Sequence, residues 1–116
     1  MTRPSSFQTG RNAEAVASAY LERHDFTVIK RNWRTRWCEI DIIARRDTVL
    51  YFVEVKFRLS NAFGSGLDYI TPKKLAQMTR AAQGFVNINN WEGDYQLCVL
   101  ALGGPKVSVH NFIIVT

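Results

Sequence analysis

Two strand-like runs, "CEIDIIA" and "YFVEVKFR", place charged side chains in the most apolar part of the chain. Successive side chains on a strand point to opposite faces, so Glu39 and Asp41 are expected on one face of the first run and its two isoleucines on the other. By the same rule, Glu54 and Lys56 share a face of the second run. Charges in such surroundings are costly unless they pair or bind a metal ion, so the pattern indicates chemistry.

Hydrophobic periodicity predicts the order helix, three strands, helix, two strands. The predicted elements are a helix over 10–24, strands over 26–33, 38–44 and 49–57, a helix that starts with Thr71 as its cap and Pro72 as its first residue, and strands over 95–102 and 107–115. The first three strands read as an antiparallel meander. The fold class is therefore α/β, with a mixed sheet flanked by helices. Residues 1–9 are predicted to be a flexible tail, and 10–116 a single domain.

The chain of 116 residues has a net charge of +5, which indicates an anionic partner. More than half of its lysines and arginines lie between Lys30 and Arg58, where Trp33 and Trp37 are interleaved with arginines. Arginine and aromatic side chains together suit phosphate contact and base stacking. The alternative is a solvated basic face that aids solubility, and charge alone does not decide between the two.

Compartment and cofactor class are constrained by what the sequence lacks. No apolar run approaches the ~20 residues of a membrane-spanning helix, and the first residues contain no apolar signal segment. Cys38 and Cys98 have no metal-ligand spacing and no disulfide framework. A cytoplasmic protein without a membrane partner is the expectation.

The charged runs suit phosphodiester hydrolysis. Magnesium is usually held by one or two carboxylates together with waters and substrate phosphate, and Asp41 and Glu54 on adjacent strands supply such a pair. The carbonyl of Val55 could give a further oxygen. Lys56 would lie beside the activated water, where it could orient or deprotonate that water and offset charge in the transition state.

Two further acids and a simpler interpretation stay open at this point. Glu39 and Glu14 are candidates for outer positions or for a second metal, although helix geometry alone favours solvent for Glu14. The simpler interpretation is a salt bridge of Lys56 with Glu54 or Asp41 on a solvated sheet face. The strongly apolar strand around Glu54 and the acids in the preceding run argue against it.

The segments "GRNAEAVASAYLERHDFTVIKRNWR", "EIDIIAR", "YFVEVKFR" and "FGSGLDYITPKKLAQMTRAA" resemble the YraN-like small bacterial proteins in order and spacing. Those proteins are predicted members of the PD-(D/E)xK nuclease superfamily, and the chain is more distantly similar to archaeal Holliday-junction resolvases. The resemblance covers about residues 10 to 100. It implies a restriction-endonuclease-like core and a divalent metal, magnesium or manganese.

The resemblance also implies roles for single residues. Asp41 matches the metal-binding aspartate of the motif, Glu54 its second acid and Lys56 its lysine, while Glu14 matches a glutamate of the first helix. Positions that resemble phosphate-contact or supporting positions of the family are Asn32, Arg58 and Lys74. The sequence departs from the family pattern at Cys38 and Ala13, where glycine is common, and at Gln96, where aspartate is expected.

The first functional hypothesis is a metal-dependent nuclease that acts on DNA, including branched or structured DNA. Glu39 and Gln77 are assigned to its supporting shell, and the predicted nucleic-acid contacts are Arg34, Arg36, Arg58 and Lys74. Two alternatives stay open: a nucleic-acid-binding module without turnover and a scaffold or interaction protein. A homodimer through the apolar run "NFIIV" is a further prediction, because so small a core has little surface with which to embrace a duplex.

Overall fold

The computed structural model describes residues 6–58 and 70–116, with side chains from residue 12 onward. The elements, in chain order, are α1 (Ser6–Arg23), β1 (Thr27–Arg34), β2 (Glu39–Arg46), β3 (Val49–Arg58), α2 (Pro72–Ile88), β4 (Asp94–Gly103) and β5 (Ser108–Ile114). This order is the predicted one. Helix α1 starts at Ser6 rather than at Gly10. The start of the predicted tail and nearly all of the loop predicted between β3 and α2 lie outside the described residues.

A five-stranded mixed sheet in the order β1-β2-β3-β4-β5 forms the centre of the domain. Strands β1, β2 and β3 make the predicted antiparallel meander. Strand β4 pairs with β3 in parallel, which needs a crossover connection, and the chain between the two strands contains α2. Strand β5 returns antiparallel at one edge of the sheet. The arrangement is compatible with a restriction-endonuclease-like fold.

Helix α2 starts as the sequence predicts. The Thr71 side chain accepts a hydrogen bond of 3.1 Å from the backbone N–H of Lys74, and Pro72 occupies the first turn, where its missing N–H costs nothing. The buried residues of the helix are Met78, Ala81, Ala82 and Phe85. These residues recur at three- and four-residue steps and form the apolar stripe by which α2 packs on the sheet.

The two helices bury opposite faces of the sheet. Helix α1 contributes Ala13, Ala17 and Leu21 to one core cluster, which contains alternate residues of β3, including Val53. Helix α2 packs with the other alternate residues, including Phe52. Glu54 and Lys56 follow Phe52 at two-residue steps, so strand alternation places both on the α2 face of β3.

The side-chain alternation of β2 breaks at Asp41. Ile40 packs in the α2-side cluster, whereas Ile42 packs in the α1-side cluster. The expectation that both isoleucines share a face was therefore wrong. On the neighbouring strand, Asn32 lies between the residues that pair with Ile42 and Ile40, and its backbone has a φ of 54°. Asparagine tolerates this left-handed conformation better than most residues, so an irregular backbone is built into the sheet beside Asp41.

Neither of the two described helices is both long and apolar enough to cross a membrane. Strand β5 lies at an edge of the sheet, where its outer side could pair with another chain. The homodimer through this strand stays a prediction.

Substitutions at Asn32 should separate backbone strain from side-chain contact. We expect Asn32→Val to lower the free energy of unfolding by at least about 1–2 kcal/mol, because a β-branched residue resists positive φ. Asn32→Gly should stay within about 1 kcal/mol of the wild type. Urea unfolding measures both, with Asn111→Val in β5 as an exposed control. Equal losses for the valine and glycine variants would contradict this account.

Candidate active site

The site starts where the pairing of β2 with β3 stops. The paired register of these strands ends at Ile42 and Val53. Just beyond it, Asp41 Oδ2 accepts a hydrogen bond of 2.8 Å from the backbone N–H of Val55. The Asp41 carboxylate thus takes the place of a β2 backbone carbonyl as the acceptor for this N–H group. Since the N–H and C=O of one strand residue point to the same side, the Val55 carbonyl also lies on the β2 side of β3.

Glu54 is the most buried acid of the site, with 8% of its surface exposed. Two lysines flank its carboxylate: Lys74 Nζ lies 3.4 Å from Oε2, and Lys56 Nζ lies 4.0 Å from Oε1. Oε2 is buried and receives no hydrogen bond, so the Lys74 ammonium is close enough for attraction without ideal geometry. Glu54 is therefore too buried to belong to a simple salt bridge on a solvated face of the sheet.

Burial and the neighbouring acids raise the cost of ionising Asp41. The pKa of Asp41 rises from 3.8 to about 7, first because burial disfavours its charged form and then because the Glu54 carboxylate repels it. The Val55 N–H acts in the opposite direction, and the charge of Glu14 adds a smaller increase. A carboxyl group whose ionisation is opposed by burial and by a neighbouring acid is typical of sites that bind a cation or move a proton.

Glu14 faces this cluster from helix α1. Its side chain is only 20% exposed, and its Oε2 lies 3.9 Å from Arg31 Nη2 on β1. Its charge also reaches Asp41. Helix geometry alone favoured solvent for Glu14, but its low exposure and its effect on Asp41 agree with the position that the family resemblance implied.

The two predicted supporting residues lie on β2 and on α2. Glu39 Oε2 is 3.4 Å from Arg34 Nη2, at the exposed end of β2. Gln77 is half-buried on α2, about one turn beyond Lys74.

The predicted nucleic-acid contacts form two groups. Arg34 and Arg36 are exposed at the β1–β2 connection, where the Arg36 guanidinium lies 4.8 Å from the centre of the Trp37 ring. Arg58 ends β3, two residues beyond Lys56, and is half-buried. Lys74 differs from these arginines because its ammonium turns inward to Glu54.

Sequence reasoning missed two residues next to the site. Arg31 was counted only as part of the basic run, although it pairs with Glu14. The Cys38 thiol is half-buried; burial raises its pKa, the charge of Lys74 lowers it, and Glu54 and Asp41 raise it further. Cys38 could have been noticed from the sequence, because it occupies a position where the family commonly has glycine. The pairing of Arg31 with Glu14 could not, because it depends on how α1 crosses β1.

The oxygen atoms of the site suit a hard divalent cation that needs only a few protein ligands. Among the residues whose side chains are described, no three acidic, cysteine or histidine side chains are grouped closely enough to enclose a metal. Magnesium and manganese do not require such a group, since one or two carboxylates, waters and a phosphate suffice. The buried Glu54 Oε2 without a hydrogen bond and the poorly neutralised Asp41 are oxygen donors of the right kind.

Comparison with known proteins identifies the family of this chain. The model of a family described as "Uncharacterised protein family UPF0102" matches residues 13–106. The chain belongs to the UPF0102 family. A UPF0102 protein of Sulfurihydrogenibium is 42% identical over 86% of this chain and 88% of its own length. Another from Chlorobium chlorochromatii is 41% identical over 84% and 76%, and one from Cytophaga hutchinsonii is 34% identical over 89% and 91%. Membership of UPF0102 confirms the YraN-like resemblance.

The raised pKa of Asp41 predicts how the stability of this UPF0102 protein depends on pH. The folded state keeps the Asp41 proton between about pH 4 and pH 7, where the unfolded chain has lost it. The stabilisation is complete below the unfolded pKa and is lost as the pH rises through about 7. Asp41→Asn keeps an acceptor for the Val55 N–H without the charge, so at pH 8 it should raise the free energy of unfolding by about 1–3 kcal/mol.

Chemical denaturation of the wild type and the variant from pH 4 to pH 8, without divalent cations, measures the effect. Asp94→Asn, at the exposed start of β4, is the matched control and should leave the pH dependence unchanged. If Asp41→Asn showed the same decline in stability as the wild type, Asp41 would not hold a proton in the folded state.

Proposed function

We propose that this protein is a metal-dependent nuclease that hydrolyses phosphodiester bonds of DNA. The observation that carries the proposal is the pair of half-buried Asp41 and buried Glu54, with Lys56 beside it, at the point where the pairing of β2 with β3 ends. A gap between strands gives an extended phosphate backbone access to buried charges. The family description assigns no activity, so the proposal rests on this geometry and on the resemblance of the motif.

Asp41 and Glu54 would hold the cation, with the Val55 carbonyl as a third oxygen. Bound magnesium or manganese would supply neutralisation of the scissile phosphate and activation of a water. Asp41 already uses Oδ2 for the Val55 N–H, which leaves Oδ1 for the cation. The same hydrogen bond fixes the carboxylate, so the pair needs little rearrangement before the ligand arrives.

Lys56 lies beside the two acids, where it could take part in catalysis. Its ammonium lies 4.0 Å from Glu54 Oε1 and is partly exposed, so water and substrate can reach it. From there the Lys56 ammonium can orient the attacking water or offset the negative charge that develops on the phosphate, whereas only a neutral Lys56 amine could accept the proton of that water. Glu14, held by Arg31, lies on the opposite side of Asp41 and would support the bound cation through water.

The basic surface fits the polyanionic substrate. Arg34 and Arg36 project at the β1–β2 connection, and the net charge of the chain is +5. Guanidinium groups can contact successive phosphates, and the Trp37 ring beneath Arg36 offers a face for stacking. Arg58 extends the basic surface from the end of β3.

A binding module on the same fold is the second candidate, and one observation favours it. Both oxygens of Glu54 already lie near ammonium groups, so this carboxylate is neutralised without any metal. A protein of that kind would bind DNA through its arginines and would not cleave it. Cleavage assays separate the two candidates.

Lys56→Met should lower the rate of DNA cleavage by about 10²–10⁴-fold in the presence of magnesium or manganese, because an acid–base and charge-stabilising group is lost. Lys73→Met, on an exposed lysine of α2, is the matched control and should keep wild-type activity. Branched, single-stranded and duplex DNA are the substrates, with EDTA and Asp41→Asn as negative controls. Cation-independent cleavage, or cleavage that survives in both site variants, would refute the proposed site.

Charge removal at Arg34 and Arg36 tests the DNA surface independently of cleavage. Each single change to alanine should weaken binding of different DNA sequences about equally, and should reduce the salt slope of log K by about one. Fluorescence anisotropy at several salt concentrations measures both quantities, with Arg80→Ala on the exposed side of α2 as a control. An unchanged salt slope in both variants would exclude the β1–β2 connection from the interface.

A further inference from the structure

The Lys74 ammonium is held in an electrostatically unusual place. It belongs to the first turn of α2, where the helix dipole is positive and where no acidic residue is present. The neighbouring Lys73 is exposed, whereas Lys74 turns inward until its Nζ lies 3.4 Å from Glu54 Oε2. Attraction by a buried carboxylate opposes repulsion by the helix end, so the position of this ammonium depends on the negative charge of Glu54.

Lys74 and Lys56 occupy different oxygens of the same carboxylate. Lys56 is 4.0 Å from Oε1 and comes from the same strand as Glu54, two residues away. Lys74 comes from the opposing helix and lies nearer to its oxygen, the one that is fully buried and has no hydrogen bond. Lys74 is therefore the cation that occupies the interior of the site.

A divalent cation on Asp41 and Glu54 would lie within a few ångströms of the Lys74 ammonium. Like charges that close repel strongly at a site shielded from water, and the helix dipole would then add to the repulsion. A lysine side chain has a flexible aliphatic part, and the Lys74 side chain is 28% exposed. The Lys74 ammonium can therefore move away from Glu54 toward solvent. A phosphate held by the same cation would be the nearest anion.

We propose that Lys74 is a resident counter-ion of Glu54 that leaves when a divalent cation binds, and that its ammonium contacts a phosphate of the nucleic acid only in the cation-loaded protein. The inference rests on the proposed function and adds regulation to it. By linkage, cation and nucleic acid then strengthen each other's binding, because each favours the outward position of Lys74. Without the cation, the inward lysine keeps the site neutral.

Binding of Mn²⁺ alone tests the first half of the inference. Electron paramagnetic resonance of free Mn²⁺ gives the affinity of the wild type and of Lys74→Met, which keeps the apolar stem and removes the charge. We expect Lys74→Met to bind Mn²⁺ at least about fivefold more tightly. Lys73→Met, one residue away and exposed, should match the wild type, as should Lys74→Arg. Unchanged or weaker binding by Lys74→Met would overturn the inference.

Binding of Mn²⁺ with a short DNA duplex tests the second half. The measurement uses Lys56→Met as background, so that the duplex stays intact, and compares it with Lys56→Met combined with Lys74→Met. The duplex should tighten Mn²⁺ binding at least about fivefold in the background and by a smaller factor in the combined variant, where only the phosphate held by the cation still couples the two ligands. Equal tightening in both would show that Lys74 does not couple the two ligands.

The failure of this inference can be told apart from failure of the proposed function. Mn²⁺ binding that is lost in Asp41→Asn but indifferent to Lys74→Met would refute the role of Lys74 and leave the metal site standing. Mn²⁺ binding that survives in Asp41→Asn would refute the metal site, and the inference with it. Circular dichroism checks that each variant is folded, and Lys74→Gln replaces Lys74→Met if the latter is not.

Discussion

The hydrogen bond from the Val55 N–H to Asp41 Oδ2 links the irregular sheet to the charges of the site. A regular antiparallel ladder would pair β2 with β3 along the whole of both strands. Here the pairing ends at Ile42 and Val53, and a side-chain carboxylate takes over the next donor. The backbone stays satisfied although the strands part, which is what a buried segment requires.

The acidic and basic side chains of the site balance one another in number. Asp41, Glu54 and Glu14 are acidic, and the cations around them are Lys56, Lys74 and Arg31. The set is formally neutral, yet burial and like-charge repulsion still raise the pKa of Asp41 to about 7. The divalent cation of the proposed function would relieve this repulsion at Asp41 and would make one of the lysines surplus. The proposed site would then have two states, which differ in which cation neutralises the carboxylates.

Much of the fold follows from the sequence, because periodicity and cap chemistry are local. The element order, the meander, and the start of α2 at Thr71 and Pro72 agree with the sequence pattern. The strand rule failed at Ile40 and Ile42, since it assumes an unbroken pleat, whereas Asn32 adopts a positive φ on the neighbouring strand. No two-residue alternation can reveal such a break.

The sequence pattern indicates the acidic residues of the candidate site more readily than the basic residues that pair with them. Asp41, Glu54 and Lys56 stand out because they are charges in an apolar run. The pairings of Glu14 with Arg31 and of Glu54 with Lys74 depend instead on where two helices cross the sheet, which spacing along the chain does not determine. The inward turn of Lys74 in particular could be found only from the structure, because a lysine in a first helical turn ordinarily faces solvent.

The most direct test of the central claim is a crystal structure of the protein with Mn²⁺, with anomalous scattering used to locate the ion. We expect a manganese peak between Asp41 and Glu54, within coordination distance of a carboxylate oxygen of each, with the Lys74 ammonium turned away from Glu54. A peak elsewhere on the protein, or a manganese-soaked crystal in which Lys74 and Glu54 remain paired without a bound ion, would contradict it.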